Sequence, residues 1–198
     1  MTGWMELGLL VFSTLGGPFT LGIPPGEMDP QLHNLAPQQC LIFHEWAAAT
    51  EAQADSDNRL EQLIAEPDMQ LAMARLGGEL KRLVSGFPSR DKSPGAAPFS
   101  QLLLHGAETL HRHPGAVYAW KSSQEEGTEA MKFAMVVRAG EDGARLDSLL
   151  TALLKAVAGE SVAGWEAEAA EGKFQQAVIT PDSPPLVWGR RGDYFLVF

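Results

Sequence analysis

A short apolar segment followed at once by an amphipathic helix limits the fold more than any other feature of this sequence. Residues 133–137 are all apolar and have a charge at each end, which predicts a strand covered on both faces or nearly so. After a break at 139–143, where Asp142 is placed to cap a helix, apolar residues recur at the spacing of one helix face. They are Leu146, Leu149, Leu150, Leu153, Leu154 and Val157. A strand and a helix of this kind require a sheet to pack in.

The other segments supply that sheet. Further strands, helices and hairpins are predicted from apolar spacing and from turn residues. The strands are 40–46, 116–120 and 132–138, the helices 58–66, 67–84 and 99–112, and the C-terminal hairpins 165–180 and 186–198. The core order is β-α-β-β-α-β, which is typical of ferredoxin-like folds. We therefore expect an α+β protein in which helices cover one face of a mostly antiparallel sheet, with an added C-terminal hairpin.

Charge and cysteine content exclude several classes of function. The chain has 198 residues, which fits one domain, and a formal net charge of −10. Nucleic acid and anionic membrane surfaces are disfavoured as partners because both need clustered Lys and Arg. Cys40 is the one cysteine, so an internal disulfide and a multi-cysteine metal site are impossible.

The two ends of the chain carry separate expectations. Residues 1–26 are apolar but interrupted by Gly and Pro, so they are too broken for a spanning helix. They fit either a degraded export signal or a hairpin, and both interpretations stay open. Residues 27–198 are expected to form a single α+β domain. Its last strand ends on the carboxylate of Phe198, which favours a natural protein that continues further and of which this is the N-terminal part.

One helix carries a candidate metal site. His105, Glu108 and His111 fall at i, i+3 and i+6 of the helix predicted at 99–112, and span an arc of about 120°. A Glu-x-x-His spacing occurs in helical di-metal sites, although those sites need matching ligands on a second helix. The alternative is a solvated polar face that ends in cations suited to the helix dipole.

Other candidate residues lie on the predicted strands. Trp46, Trp120 and Trp188 each end a predicted strand and could line one pocket, although aromatic residues there more often form the rim of a core. Cys40 and His44 are expected to share one face of their strand, but a catalytic acid to accompany them is not identifiable. No phosphate-binding glycine loop or nucleophile elbow is present.

Two segments resemble a known group of proteins. LAPQQCLIF at 35–43, followed by Trp46, and NRLEQLIAEP at 58–67 are similar to the first strand and following helix of a family of uncharacterised bacterial envelope proteins. The closing hairpin, with Trp188 and residues 193–197, is similar as well. The resemblance implies an exported, extracytoplasmic α+β module and carries over no catalytic residue.

Three functions are compatible with these patterns. The first is a non-catalytic extracytoplasmic module, periplasmic if bacterial, that binds a protein partner or has a structural role. The second is a metal-dependent enzyme that uses His105, Glu108 and His111. The third is a small-molecule binder with a pocket between the tryptophans and a loop at 85–98. A cytoplasmic location is the alternative to export. No organic cofactor is expected, because no cofactor-binding motif is present.

Overall fold

The computed structural model describes residues 26–85, 99–123, 129–158, 167–169, 172–178 and 184–198. The expected signal or hairpin before residue 26 and the loop at 86–98 lie outside these ranges. The helices are α1 (Pro30–Asn34), α2 (Arg59–Ala65), α3 (Pro67–Ser85), α4 (Phe99–His111) and α5 (Gly143–Ala158). The strands are β1 (Cys40–Trp46), β2 (Gly115–Ser123), β3 (Glu129–Arg138), β4 (Ala167–Ala169), β5 (Gly172–Ala177), β6 (Leu186–Arg191) and β7 (Tyr194–Val197).

The seven strands form one sheet in which every pairing is antiparallel. Their order is β1-β2-β3-β7-β6-β5-β4. After β3 the chain crosses through α5 to β4 at the far edge, then returns strand by strand to place β7 beside β3. The α+β class and the antiparallel sheet are confirmed. The ferredoxin-like arrangement is not, because β1 pairs directly with β2 and forms an outer edge of the sheet.

Local sequence signals set the starts of the helices and the last turn. Asn58 caps α2 by accepting a hydrogen bond from the backbone N–H of Leu60 at 3.0 Å. Pro67 is the first residue of α3. Proline lacks a backbone N–H, and at this position an N–H would have no acceptor within the helix. Gly192 has a φ of +58° in the turn between β6 and β7, a conformation that glycine adopts without strain.

Helices α4 and α5 cover one face of the sheet, which we call the helix side. Its core contains Val137, Trp188 and Phe195 from three strands, all at most 2% exposed, together with Leu146 and Leu154 of α5. The predicted leucine stripe therefore does pack onto the sheet, and α4 packs against α5 through a further apolar cluster. None of the helices within the described ranges is long and apolar enough to cross a membrane.

The opposite face, which we call the α1 side, is also partly covered, contrary to the expectation that helices lie on one face only. Leu32 of α1 is fully buried against Ala116, Tyr118 and Val136 of the sheet. The sequence at 27–37 predicts a short turn or a single helical turn, but a helix that buries one side chain gives no apolar periodicity to show which face it covers. Strand β3 is therefore covered on both faces over residues 134–137, as predicted, whereas Phe133 at the start of the apolar run is 58% exposed.

Candidate functional site

The structure does not bring the predicted metal ligands together as a site. All three lie on α4, where His105 and Glu108 are exposed and His111 is half-buried. Within the described ranges, no three His, Cys, Asp or Glu side chains are grouped so that they could hold a metal ion. The second ligand-bearing helix that this chemistry requires is therefore not found among the described helices.

The three tryptophans do not line a common pocket, because they lie on different faces of the sheet. Trp46 and Trp188 belong to the helix-side core, whereas Trp120 packs on the α1 side. The indole N–H of Trp46 donates to the carbonyl of His113 at 3.0 Å, just beyond the end of α4. Trp188 donates to Asp147 at 2.9 Å. Both buried indoles serve the packing of helices onto the sheet.

A β-bulge separates Cys40 from His44, which were expected to share a face. Cys40 pairs with Trp120 and Ile42 with Ala119, so the register shifts between the two β1 residues. Cys40 joins the α1-side cluster, whereas the His44 ring stacks on that of Trp46 at a centroid distance of 6.4 Å. The Cys40 thiol donates to the carbonyl of Ile42 at 2.9 Å. The arrangement does not form a nucleophile and base pair.

Two shallow clefts were not anticipated from the sequence. One, of about 370 Å³, is lined by residues that include His113, Arg138 and Asp142, and His113 Nε2 lies 3.0 Å from Asp142 Oδ2. The partners are 29 residues apart and share no local motif, so only the packing of β2 and β3 against the start of α5 brings them together. Asp142 contacts this histidine, although the sequence pattern placed it as a helix cap.

The second cleft, of about 350 Å³, borders a polar network between α5 and the sheet. Asp147 accepts hydrogen bonds from Trp188 Nε1 at 2.9 Å and from Gln175 Nε2 at 3.3 Å. Thr151 donates to the carbonyl of Asp147 at 2.8 Å. Because these polar groups bond one another, the network joins α5 to β5 and β6 and leaves little capacity for a ligand.

Hydrogen bonds from two tyrosines hold α1 against the sheet. Tyr118 donates to the carbonyl of Leu32 at 2.6 Å, and Tyr194 donates to Asp29 Oδ2 at 2.7 Å. Asp29 is 2% exposed and also caps α1. Burial, followed by the nearby Glu45 charge, raises the pKa of Tyr118 to about 12. Burial, followed by the hydrogen bond to Asp29, raises the pKa of Tyr194 to about 12. Both phenols therefore stay neutral donors at ordinary pH.

Exposed apolar side chains of β1 and β3 lie on either side of the buried Ala119 of β2. Ile42, Ala119 and Phe133 lie side by side across β1, β2 and β3 on the helix side. Ile42 is 49% and Phe133 58% exposed, and Met131, two residues before Phe133, is 50% exposed. We call Ile42, Met131 and Phe133 the open sheet end. It continues the helix-side core outward, because Met135, the next β3 residue on that side, packs against the core.

Helix α3 presents a second set of exposed apolar residues. Leu71, Leu76 and Leu83 have 51%, 49% and 71% of their surface exposed. The helix contacts α2 and α4. Single exposed leucines are ordinary on a soluble surface, so α3 is weaker as a candidate site than the open sheet end, which continues a core.

Comparison with known proteins adds no functional assignment. No protein-family description, curated protein or solved structure matches this chain. The candidate site therefore rests on geometry alone. Among the described residues, the open sheet end combines adjacent apolar side chains with the end of a well-packed core.

Proposed function

We propose that this chain is a non-catalytic protein-interaction module that works outside the cytoplasm and contacts its partner through the open sheet end. The observation that carries the proposal is the exposure of Ile42, Met131 and Phe133 at the end of a buried core. Apolar patches that adjoin a core and remain uncovered are typical of protein contact sites. Burying one such half-exposed side chain contributes about 1 kcal/mol, so three supply the centre of a small interface.

The remaining chemistry of the described residues supports binding over catalysis. The His113–Asp142 pair and the Asp147 network are each held within the fold by hydrogen bonds. The net charge of −10 supports a protein partner over nucleic acid. The extracytoplasmic location is supported by the resemblance of residues 35–43 and 58–67 to envelope proteins, and fractionation of cells that express the native gene tests it.

Site-specific photo-crosslinking tests the proposed contact surface. A benzoylphenylalanine in place of Phe133 should give a discrete adduct in cells, because its ring would lie within the interface. The matched control places the same group at Val178, which is 41% exposed and lies just beyond β5. Changing Ile42→Ser and Met131→Ser should abolish the Phe133 adduct. Equal labelling at both positions, or no adduct at Phe133, would contradict the proposal.

A further inference from the structure

We propose that residues 26–36, which include α1, form a strap that opens as a unit while the sheet and the helix-side core stay folded. Opening uncovers an apolar cradle on the α1 side, which consists of Ala116, Tyr118, Ala134 and Val136. The cradle lies on the face opposite the open sheet end, so this second surface is independent of the proposed function. The chain itself controls whether the cradle is exposed.

Few side chains attach the strap to the rest of the protein. Of residues 26–36, Asp29 and Leu32 alone are buried, with 2% and 0% of their surface exposed. Leu35 is 52% exposed, and the exposed His33 contacts Phe43 edge to face at a ring-centroid distance of 5.4 Å. Leu32 is therefore the one apolar side chain of the strap that packs fully into the sheet.

Hydrogen bonds from neutral donors supply the other attachments. Tyr118 donates to the carbonyl of Leu32 at 2.6 Å, and Tyr194 donates to Asp29 Oδ2 at 2.7 Å. At the start of the strap, the N–H of Gly26 donates at 2.6 Å to a carbonyl in the loop after β1. Water replaces the partner of each bond when the strap opens, so the net cost of breaking these bonds is small.

The burial of Asp29 makes the closed strap less stable than its hydrogen bonds alone suggest. The donors to this carboxylate among the described residues are neutral, namely the N–H of Gln31 at 3.0 Å and the phenol of Tyr194. Neither of the two ion pairs found in the described part of the chain includes Asp29. Removing a charge from water without a paired cation is costly, and opening returns the carboxylate to water. The strap therefore carries a group that favours the open state.

The helix within the strap depends on its contact with the sheet. α1 has five residues, and isolated helices shorter than about 12 residues are marginal in water. Its N-terminal cap is Asp29, whose carboxylate also accepts the hydrogen bond from Tyr194. Because departure of Leu32 removes the support of the whole helix, the strap opens in one step. The open state is a minor population, so equilibrium unfolding still follows a single transition.

The sheet does not need the strap for its pairing. Ala116 lies opposite Val136 in the β2–β3 ladder, and β1 pairs along the other edge of β2. The helix-side core, with Val137 and Leu154, lies on the other face and contains no residue of the strap. Opening therefore leaves the sheet and this core intact. It exposes a cradle that fits one leucine side chain, with the phenol of Tyr118 as a hydrogen-bond donor.

Thiol labelling with iodoacetamide under native conditions tests whether the cradle becomes accessible. The probe is Ala116→Cys in a full chain that also carries Cys40→Ser, and the control is Val137→Cys in the same background. Ala116 and Val137 are both 0% exposed. The thiol at position 116 should react about tenfold faster or more, because the thiol at 137 is exposed only by global unfolding. Equal rates at the two positions would overturn the proposal.

Two core variants separate opening of the strap from global unfolding. Leu154→Ala destabilises the closed and the open state alike, since both keep the helix-side core. It should speed labelling at Val137→Cys by about thirtyfold or more and leave labelling at Ala116→Cys unchanged. Leu32→Ala destabilises the closed state alone and should speed labelling at both positions. Equal acceleration of both positions by Leu154→Ala would show that only global unfolding exposes the cradle, and would refute the strap.

Amide hydrogen exchange of the isotope-labelled, unsubstituted chain decides the question if a cysteine variant fails to fold. The N–H of Leu32, which donates to the carbonyl of Asp29, should exchange about tenfold faster or more than that of Val137 in the β3–β7 ladder. Exchange of both amides at one rate would overturn the proposal. Fast exchange at Leu32 with equal labelling of the two cysteines would show that α1 frays in place, and would overturn it as well.

Discussion

At the scale of single residues, the contact between Trp46 and Gly115 fixes how β1 meets the end of α4. Gly115 lies opposite Trp46 in the β1–β2 ladder, and a Cβ at this glycine would lie 2.7 Å from Trp46 Cε2. The indole can therefore lie flat across the strand and still donate its N–H to the carbonyl of His113. The glycine is required here for the space it leaves, since its φ is not in the left-handed region.

Replacing Gly115→Ala should destabilise the protein by about 1–3 kcal/mol, because the added methyl group displaces a buried indole. Chemical denaturation with tryptophan fluorescence measures the effect. Gly106→Ala is the matched control: it lies within α4 and has open space around its Cβ position. That change should stabilise the helix by about 0.5–1 kcal/mol. Equal effects of the two changes would contradict the packing argument.

The two raised tyrosine pKa values predict a loss of stability in alkali. The pKa values of Tyr118 and Tyr194 rise from 10.0 in the unfolded chain to about 12 in the folded protein. The folded state therefore holds the phenolic protons more tightly. The stability linked to them is complete below pH 10 and is lost as the pH rises through 12. The free energy of unfolding should show no loss from these tyrosines between pH 8 and about 9 and should fall as the pH rises from about 10 to 12.

The matched variant for this pH dependence is Tyr194→Phe. It removes one titrating group and the hydrogen bond to Asp29, so its stability should fall less steeply between pH 10 and 12. At neutral pH the variant should be less stable by about 1–3 kcal/mol, since a buried carboxylate loses a donor. An unchanged alkaline slope would show that Tyr194 does not titrate in this range.

At the scale of elements, the polar network of Asp147 determines how α5 sits on the sheet. Asp147→Ala should cost about 1–3 kcal/mol, because the indole N–H of the fully buried Trp188 loses its acceptor. Thermal unfolding measures this loss. The adjacent Ser148→Ala is the control: its exposed hydroxyl only bonds back to the carbonyl of Ala144 within α5, so the change should stay within about 0.5 kcal/mol. Comparable losses would contradict a special role for the network.

Elements with strong local signals were predictable, and those without them were not. The stripe from Leu146 to Leu154 identified α5, and Asn58 and Pro67 marked where α2 and α3 begin. By contrast, α1 buries only Leu32, and its position depends on tyrosines more than 80 residues away. The bulge in β1 left no signal either, because a one-residue shift of register depends on which strand is the partner.

At the scale of the whole molecule, the two cores share the same strands. Leu154 lies in the helix-side core and Leu32 in the core on the α1 side, while β2 and β3 contribute to both. Leu32→Ala and Leu154→Ala should each cost about 2–5 kcal/mol and leave a single unfolding transition. The two leucines lie in layers on opposite faces of the sheet, and such packing layers are about 10 Å apart. The stability losses of the two single variants should therefore add to that of the double variant within about 0.5 kcal/mol. Two separate transitions would show that the faces unfold independently.

The candidate site was largely hidden from the sequence. His105, Glu108 and His111 shared a helix face, but no described residues complete a ligand set with them. Each of the three tryptophans was predicted at the end of a strand. The side chain of Trp120, however, lies on the opposite face of the sheet from the other two. The open sheet end could not be found because Phe133 belongs to the same apolar run as the buried Val137. Only packing against distant segments distinguishes them, because Val137 lies in the helix-side core and Phe133 does not.

The sequence alone determined the class of fold and most of its helices and strands; its single cysteine excludes an internal disulfide, and its net charge disfavours nucleic acid as a partner. These follow from apolar spacing, capping residues and net charge, which act over a few residues or over the whole composition. The tertiary structure decided the order of the strands, the partners of the tryptophans and the exposure of Phe133. Those depend on contacts between distant segments, such as Met135 with Val197, and local patterns do not encode such pairings.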